Sequence, residues 1–216
     1  MTSVSGVGVL DKGVRILEAL RARPLDLAQL QRASGLPRAT AHRLAVALEH
    51  HHLVRRDEQG RFCLGLELVA LGRAASDQFG LGEIARSALE ELRERSGESV
   101  QLYVEEDGAR RCVVSLQSPH ALRWIVPEGG LLPLEVGSAG RVLRGLTDAN
   151  GWAESVEERE PGAASVSAPV RDRHGQVVAA VSVSGPVERL TRSPGERFGE
   201  LVVAAAGDVS RLLATR

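Results

Sequence analysis

Residues 35–65 read GLPRATAHRLAVALEHHHLVRRDEQGRFCLG, and this stretch decides the fold of the first part of the chain. Ala41, Leu44, Ala45 and Leu48 recur at helical spacing, and Pro37 suits the first turn of such a helix. The pattern then changes period. Residues 53–56 and 61–64 alternate around a turn at 57–60, which predicts a small β-hairpin. Working upstream, LDLAQLQRASG predicts a short helix with Asp26 as its N-cap, an apolar face of Leu27, Leu30 and Ala33, and Gly35 as its stop. Still earlier, LDKGVRILEALRA predicts a first helix with Leu10, Val14, Leu17 and Leu20 (with Ile16) turned inward. Two short helices about a glycine turn, followed by a basic hairpin, form a winged helix-turn-helix.

The chemistry of this module is that of a polyanion binder. Residues 1–65 hold ten Lys or Arg and six Asp or Glu, whereas the remainder holds seventeen and twenty-two. The net charge of −1 therefore hides a basic first module and an acidic second part. Arg38 and His42 sit four apart on one face of the second helix, flanked by Thr40 and Arg43. The early residues of such a helix reach base edges, where Arg suits guanine and Thr suits a thymine methyl or a phosphate. Arg55, Arg56 and Arg61 on the hairpin suit phosphates. Each arginine alone is compatible with a solvated face, and it is their order that predicts double-stranded DNA as partner. His50, His51 and His52 point in different directions from a helix end, with no carboxylate or Cys at ligand spacing, so no metal is expected.

The remaining length supports a second domain. The chain has 216 residues, 43% hydrophobic and 25% charged, with only 3% aromatic. Its cores are therefore built from Leu, Val and Ala. Cys63 and Cys112 form no metal-type or disulfide pattern. No apolar run reaches the roughly 18 residues that span a bilayer, and the expected location is cytoplasmic. LELVALGRAASDQFG predicts a linker helix. LGEIARSALEELRERSG predicts another, with Ile84, Ala88, Leu89 and Leu92 inward and Gly97 as stop. From Ser99 onward a hairpin about Asp107-Gly108, a strand ALRWIV, a helix opened by GSAGRVLRGL and a hairpin about His174-Gly175 are expected. The final helix has Ser193 as N-cap, Pro194 at its first position and Glu196 as capping-box partner. The sum is an α+β architecture of mixed antiparallel strands with helices at one side. The expected division is 1–65 for DNA binding, 66–82 for linker and hinge, and 83–216 for the second domain.

Two stretches of the second domain share one unusual pattern. In AASVSAPV, Ala163, Ser165 and Ser167 share a strand face. In VVAAVSVSGP, Ala180, Ser182 and Ser184 do the same on the hairpin partner. Ser167 is expected at the strand's end. Faces of small residues and hydroxyls leave space with hydrogen-bonding walls, which suits a small polar ligand. VGSAGR adds backbone N–H groups at a helix start, an anchor for a carboxylate. Against a serine hydrolase stand the lack of a G-x-S-x-G elbow and the distant histidines, so neither an enzyme nor a cofactor is expected. A C-terminal domain used only for dimerisation or protein contact is the other alternative.

GVGVLDKGVRILEAL, GLPRATAHRLAVALEHHHLV and GRFCLG resemble the winged helix-turn-helix of the IclR family of bacterial transcription regulators. GESVQLY, GWAESVEEREPGAASVSAPV and VVAAVSVSGPVERLTRSPG resemble that family's effector domain, so the likeness covers nearly the whole chain. Within the family the chain is most similar to actinobacterial regulators of leucine and other branched-chain amino-acid genes. The resemblance implies a GAF/profilin-like effector domain and a homodimer or tetramer, with the linker helix packed on a partner subunit. It also implies an effector pocket at Trp124, Ser138, Ala139, Ala163, Ser165, Ser182 and Ser184, filled by a small carboxylate such as a branched-chain amino acid or its precursor. The chain departs from the family in three places. Only residues 147–150 stand where members commonly carry some two dozen. Ser155 replaces a frequent acidic residue, and Trp124 a smaller or more flexible one.

Overall fold

The computed structural model describes residues 5–215, excepting the side chains of 76–79. It divides into two compact units, Met1–Gln78 and Phe79–Arg216.

The first unit runs α1 (Gly8–Ala19), α2 (Leu27–Ser34), α3 (Arg38–His50), β1 (Val54–Arg56), β2 (Phe62–Leu64) and α4 (Glu67–Phe79). Asp26 starts α2 through a full capping box. Its carboxylate accepts the Gln29 N–H at 2.8 Å, and the Gln29 side chain accepts the Asp26 N–H at 3.1 Å. Such a cap is worth about 1 kcal/mol. Gly35 ends α2 in the left-handed region, with φ of 64°. β1 and β2 pair antiparallel, and Leu25 exchanges both backbone hydrogen bonds with Phe62 (2.8 and 2.9 Å), adding a third short strand segment. Ile16, Leu20, Leu30, Ala41, Leu44, Val54 and Phe62 close one core beneath this wing. On α1 the inward face is narrower than its spacing predicts. Ile16 and Leu20 are buried, but Leu10 and Val14 are 58% and 45% exposed.

The second unit runs α5 (Leu81–Ser96), β3 (Ser99–Glu106), β4 (Ala109–Leu116), β5 (Leu131–Pro133), α6 (Ser138–Leu143), β6 (Ala153–Val156), β7 (Ala163–Arg171), β8 (Val177–Pro186), α7 (Val187–Leu190) and α8 (Pro194–Ala214). The six strands lie in the order β5-β4-β3-β8-β7-β6, and every pairing is antiparallel. Strand alternation sorts the sheet into two unlike faces. Val100, Leu102, Val166, Val181 and Val183 meet Leu89 of α5 and Phe198 and Val202 of α8 in the main core. The opposite face carries Gln101, Tyr103, Ser167, Ala180 and Ser182, and α6 lies over it through Ala139 and Val142.

Four expectations change. ALRWIV is irregular chain, and the strand that joins the β4 edge is Leu131–Pro133 instead. The helices do not all gather on one side, because α6 takes the face opposite α5 and α8. Ser193 precedes α8 without a side-chain cap, although Pro194 does open the helix. Ser167 stands in the middle of β7, fully buried, opposite Ala153 on one side and Ser182 on the other.

Residues 145–152 form a tight turn between α6 and β6. The Asp148 carboxylate accepts the N–H groups of Asn150 (2.9 Å) and Trp152 (3.2 Å), and the Asp148 N–H donates to the Trp152 carbonyl at 2.7 Å. Trp152 then packs on Gly195 and Gly199 of α8. A Cβ at Gly199 would stand 2.6 Å from the indole, so only glycine fits beneath it.

Candidate functional site

The first unit presents its cations on α3 and the wing. Arg38, His42 and Arg43 are exposed on the outer face of α3, while Thr40 is half-buried at its flank. Arg38, Arg43 and Arg55 form no ion pair among the described residues. The other two wing arginines are engaged. Arg56 contacts Glu49 at 3.3 Å and lies 4.2 Å over the Phe62 ring. Arg61 grips Asp57 at 2.7 Å, and the same carboxylate accepts the N–H groups of Gln59 and Arg61. The Arg61 hydrogen bond is the first cause holding Asp57 below the usual carboxylate range. Arg61 thus organises the wing tip, and Arg55 is its unengaged cation. The register explains the split, since Arg55 faces Cys63 and Arg56 faces Phe62 across the hairpin. Among the described residues no His, Cys, Asp and Glu cluster could hold a metal.

The second unit carries a cavity of about 40 Å³ on the polar face of the sheet. Trp124, Ser138, Ala139, Ala163, Ser165, Ser182 and Ser184, singled out in the sequence, all line it, with Ser155 beside them. Its floor is a connected row of hydroxyls. Ser138 Oγ lies 2.7 Å from both Ser165 Oγ and Ser167 Oγ, and Ser167 donates to Ser182 at 2.9 Å. Ser184 donates to Gln101 Oε1 at 2.8 Å. Among the described residues no histidine or carboxylate side chain is hydrogen-bonded to any of these hydroxyls.

The walls include residues that sequence reasoning missed. Tyr103, Arg110, Glu158, Arg159 and Glu160 also line the cavity. Burial raises the Tyr103 phenol well above its ordinary range. Arg159 lies 5.0 Å over the Trp124 ring, so the two close one side together. Glu158 bonds to Arg141 and accepts the Gly137 N–H at 3.1 Å. The start of α6, expected to anchor an incoming carboxylate, already holds one from its own chain. Arg110 was legible as a strand residue, but its inward direction depends on the bulge between Leu102 and Tyr103 that shifts the register of β3 on β4.

Comparison with known proteins places both units. The family model for the IclR helix-turn-helix domain matches residues 9–58, and that for the bacterial transcriptional regulator IclR C-terminal matches 145–211. The glycerol operon regulatory protein of Streptomyces coelicolor is 31% identical over 238 positions, covering 94% of this chain and 93% of that protein. The alignment is longer than the 216-residue chain, so the relative carries residues absent here. The transcriptional repressor IclR of Escherichia coli is 26% identical, covering 93% and 88%. Among solved structures, an IclR homolog from Microbacterium hydrocarbonoxydans complexed with 4-hydroxybenzoate superposes with a TM-score of 0.83 at 23% identity, over 95% of this chain and 98% of that one.

Proposed function

The chain belongs to the IclR family of DNA-binding transcriptional regulators, and from that premise we propose that a small carboxylate metabolite in the serine-lined cavity controls its hold on operator DNA. The family regulates transcription, and the chain is not an enzyme. The observation that carries the effector reading is the cavity itself, where a hydroxyl floor and a buried guanidinium converge on one space. A carboxylate ligand in a protein of the same fold supports it.

On this reading Arg38, Thr40, His42 and Arg43 meet base edges or adjacent phosphates, and Arg55 grips the backbone with Arg56. Arg61 contributes by shaping the wing. Val9, Leu10 and Val14 of α1, with Val69 and Leu71 of α4, leave apolar surface exposed in the first unit, which suits self-association. A homodimer would set two recognition helices about 34 Å apart on a near-palindromic operator.

The resemblance read in the sequence to regulators of branched-chain amino-acid genes, which the relatives compared above do not share by name, makes those amino acids and their 2-oxo precursors the first ligands to test. A thermal-shift panel of small carboxylates, followed by gel shifts on the gene's own upstream DNA, tests the reading. A ligand at 100 times its Kd adds about 2.7 kcal/mol of stability. The small cavity, closed by Trp124 and Arg159, favours one second reading, a domain for dimerisation or protein contact alone. Silence across the panel with operator binding intact selects it.

A further inference from the structure

Arg56 of the wing is held by three supports. Its guanidinium carbon lies 4.2 Å over the ring of Phe62, a core residue 2% exposed. Nη1 donates to the Gly60 carbonyl at 3.3 Å, across the turn of the hairpin. Nε meets both carboxylate oxygens of Glu49, at 3.3 and 3.4 Å. The first two supports belong to the wing itself. Glu49 belongs to the last turn of α3, the helix that carries Arg38 and His42. Nη2 makes no hydrogen bond or ion pair among the described residues, and the Arg56 side chain is 40% exposed.

The wing does not need this ion pair to stay attached. His52 N–H donates to the Glu49 carbonyl and Leu53 N–H to the Leu48 carbonyl, both at 3.0 Å. A Cβ at Gly65 would stand 1.9 Å from the His52 carbonyl oxygen, so the base of the hairpin meets the end of α3 without slack. A part-exposed pair such as Glu49–Arg56 also adds little stability of its own. What it fixes is the direction of a guanidinium. An unsupported arginine gives up many rotamers when it meets a phosphate, whereas Arg56 has given them up beforehand. The planar guanidinium suits the task, because donors on one side can be held while others stay free.

Charge alone argues the other way. A carboxylate at the end of the recognition helix repels a polyanion, so its only electrostatic effect on DNA is unfavourable. We infer that Glu49 is a positioning residue for DNA binding, which aims Arg56 at the phosphate backbone, so that an acid strengthens the grip on a polyanion. This inference rests on the reading of the wing as a phosphate contact and adds to it a residue that itself touches no DNA.

Anisotropy titrations of the full chain test it, using a fluorescein-labelled duplex of scrambled sequence, about 30 base pairs long, at several salt concentrations. Glu49→Gln keeps the size and helix propensity of the parent side chain, so the helix is preserved. It should weaken binding about 3- to 10-fold. It should also lower the salt slope toward that of Arg56→Met, which itself should fall by about one unit. In the Arg56→Met background, Glu49→Gln should no longer weaken binding. Tighter or unchanged binding by Glu49→Gln overturns the inference, since the carboxylate then does no more than repel phosphates. Weakening that persists in the Arg56→Met background, or that leaves the salt slope at the parent value, overturns it too. Each of these results, with the Arg56→Met slope lowered, leaves the wing standing as a phosphate contact. An Arg56→Met slope equal to the parent's removes that reading of Arg56 and this inference with it.

Discussion

Ser138 of α6 and Ser167 of β7 meet Oγ to Oγ at 2.7 Å, and this bond ties a short helix to the middle of the sheet. Ser167 also donates to Ser182, so Ser167→Ala removes one hydrogen bond from each of two buried hydroxyls, while Ser138 keeps its bond to Ser165. A loss of about 1–3 kcal/mol is expected, read as a lower urea midpoint with unchanged slope. Stability equal to the parent would mean that the row of hydroxyls does not hold α6 in place.

Arg55 and Arg56 leave opposite faces of β1, and only Arg55 lacks an ion pair among the described residues. Arg55→Ala should weaken every DNA sequence alike and lower the salt slope by about one unit. Arg38→Ala should instead lose about 1–3 kcal/mol at particular base pairs. Arg61→Ala releases Asp57 and loosens the wing tip, so its effect on affinity should exceed its effect on the salt slope. Anisotropy titrations on operator variants at several salt concentrations separate the three. Identical profiles for Arg38→Ala and Arg55→Ala would refute the division between base and phosphate contacts.

Trp124 and Arg159 close the cavity by stacking at 5.0 Å. Trp124→Ala should open it to larger acids, seen as thermal shifts with aromatic carboxylates that leave the parent unmoved. The same variant should lose about 1–3 kcal/mol of intrinsic stability, since the indole is half-buried. A ligand range identical to the parent's would show that the indole does not set the size limit.

Burial pushes the Cys112 thiol up to about 12 and the Tyr103 phenol higher still, against ordinary values of 9.0 and 10.0. Above pH 9 the unfolded chain gives up protons that the folded chain keeps. Unfolding therefore becomes easier as pH rises, by up to about 1.4 kcal/mol per pH unit for each group. Cys112→Ala should flatten much of the fall between pH 9 and 10, where the thiol contributes more than the phenol. A parent stability level from pH 8 to 10.5 would contradict this.

Local chemistry made the first unit readable. Asp26, Gly35 and the turn at 57–60 each act through near neighbours, so their spacing alone places α2, α3 and the wing. The exposed half of α1 was harder, because Leu10 and Val14 keep helical spacing with Ile16 whether or not a surface covers them. In the second unit, alternation placed the serines on one face without the structure. Ser167 was misjudged because burial in mid-sheet depends on β6, which pairs across a turn that local pattern does not reveal. Arg110 was invisible as a lining residue, since a bulge in the partner register and two glycines on a distant helix decide its surroundings.

The Asp148 turn has a mechanical consequence. Only residues 144–152 separate α6, which roofs the cavity, from β6 at the edge of the sheet, and Trp152 pins the far end of that turn to α8. A longer connection would absorb a shift of α6 as slack. Here a displacement of the roof would be carried within one turn of chain to β6 at the sheet's edge and to α8 on its opposite face.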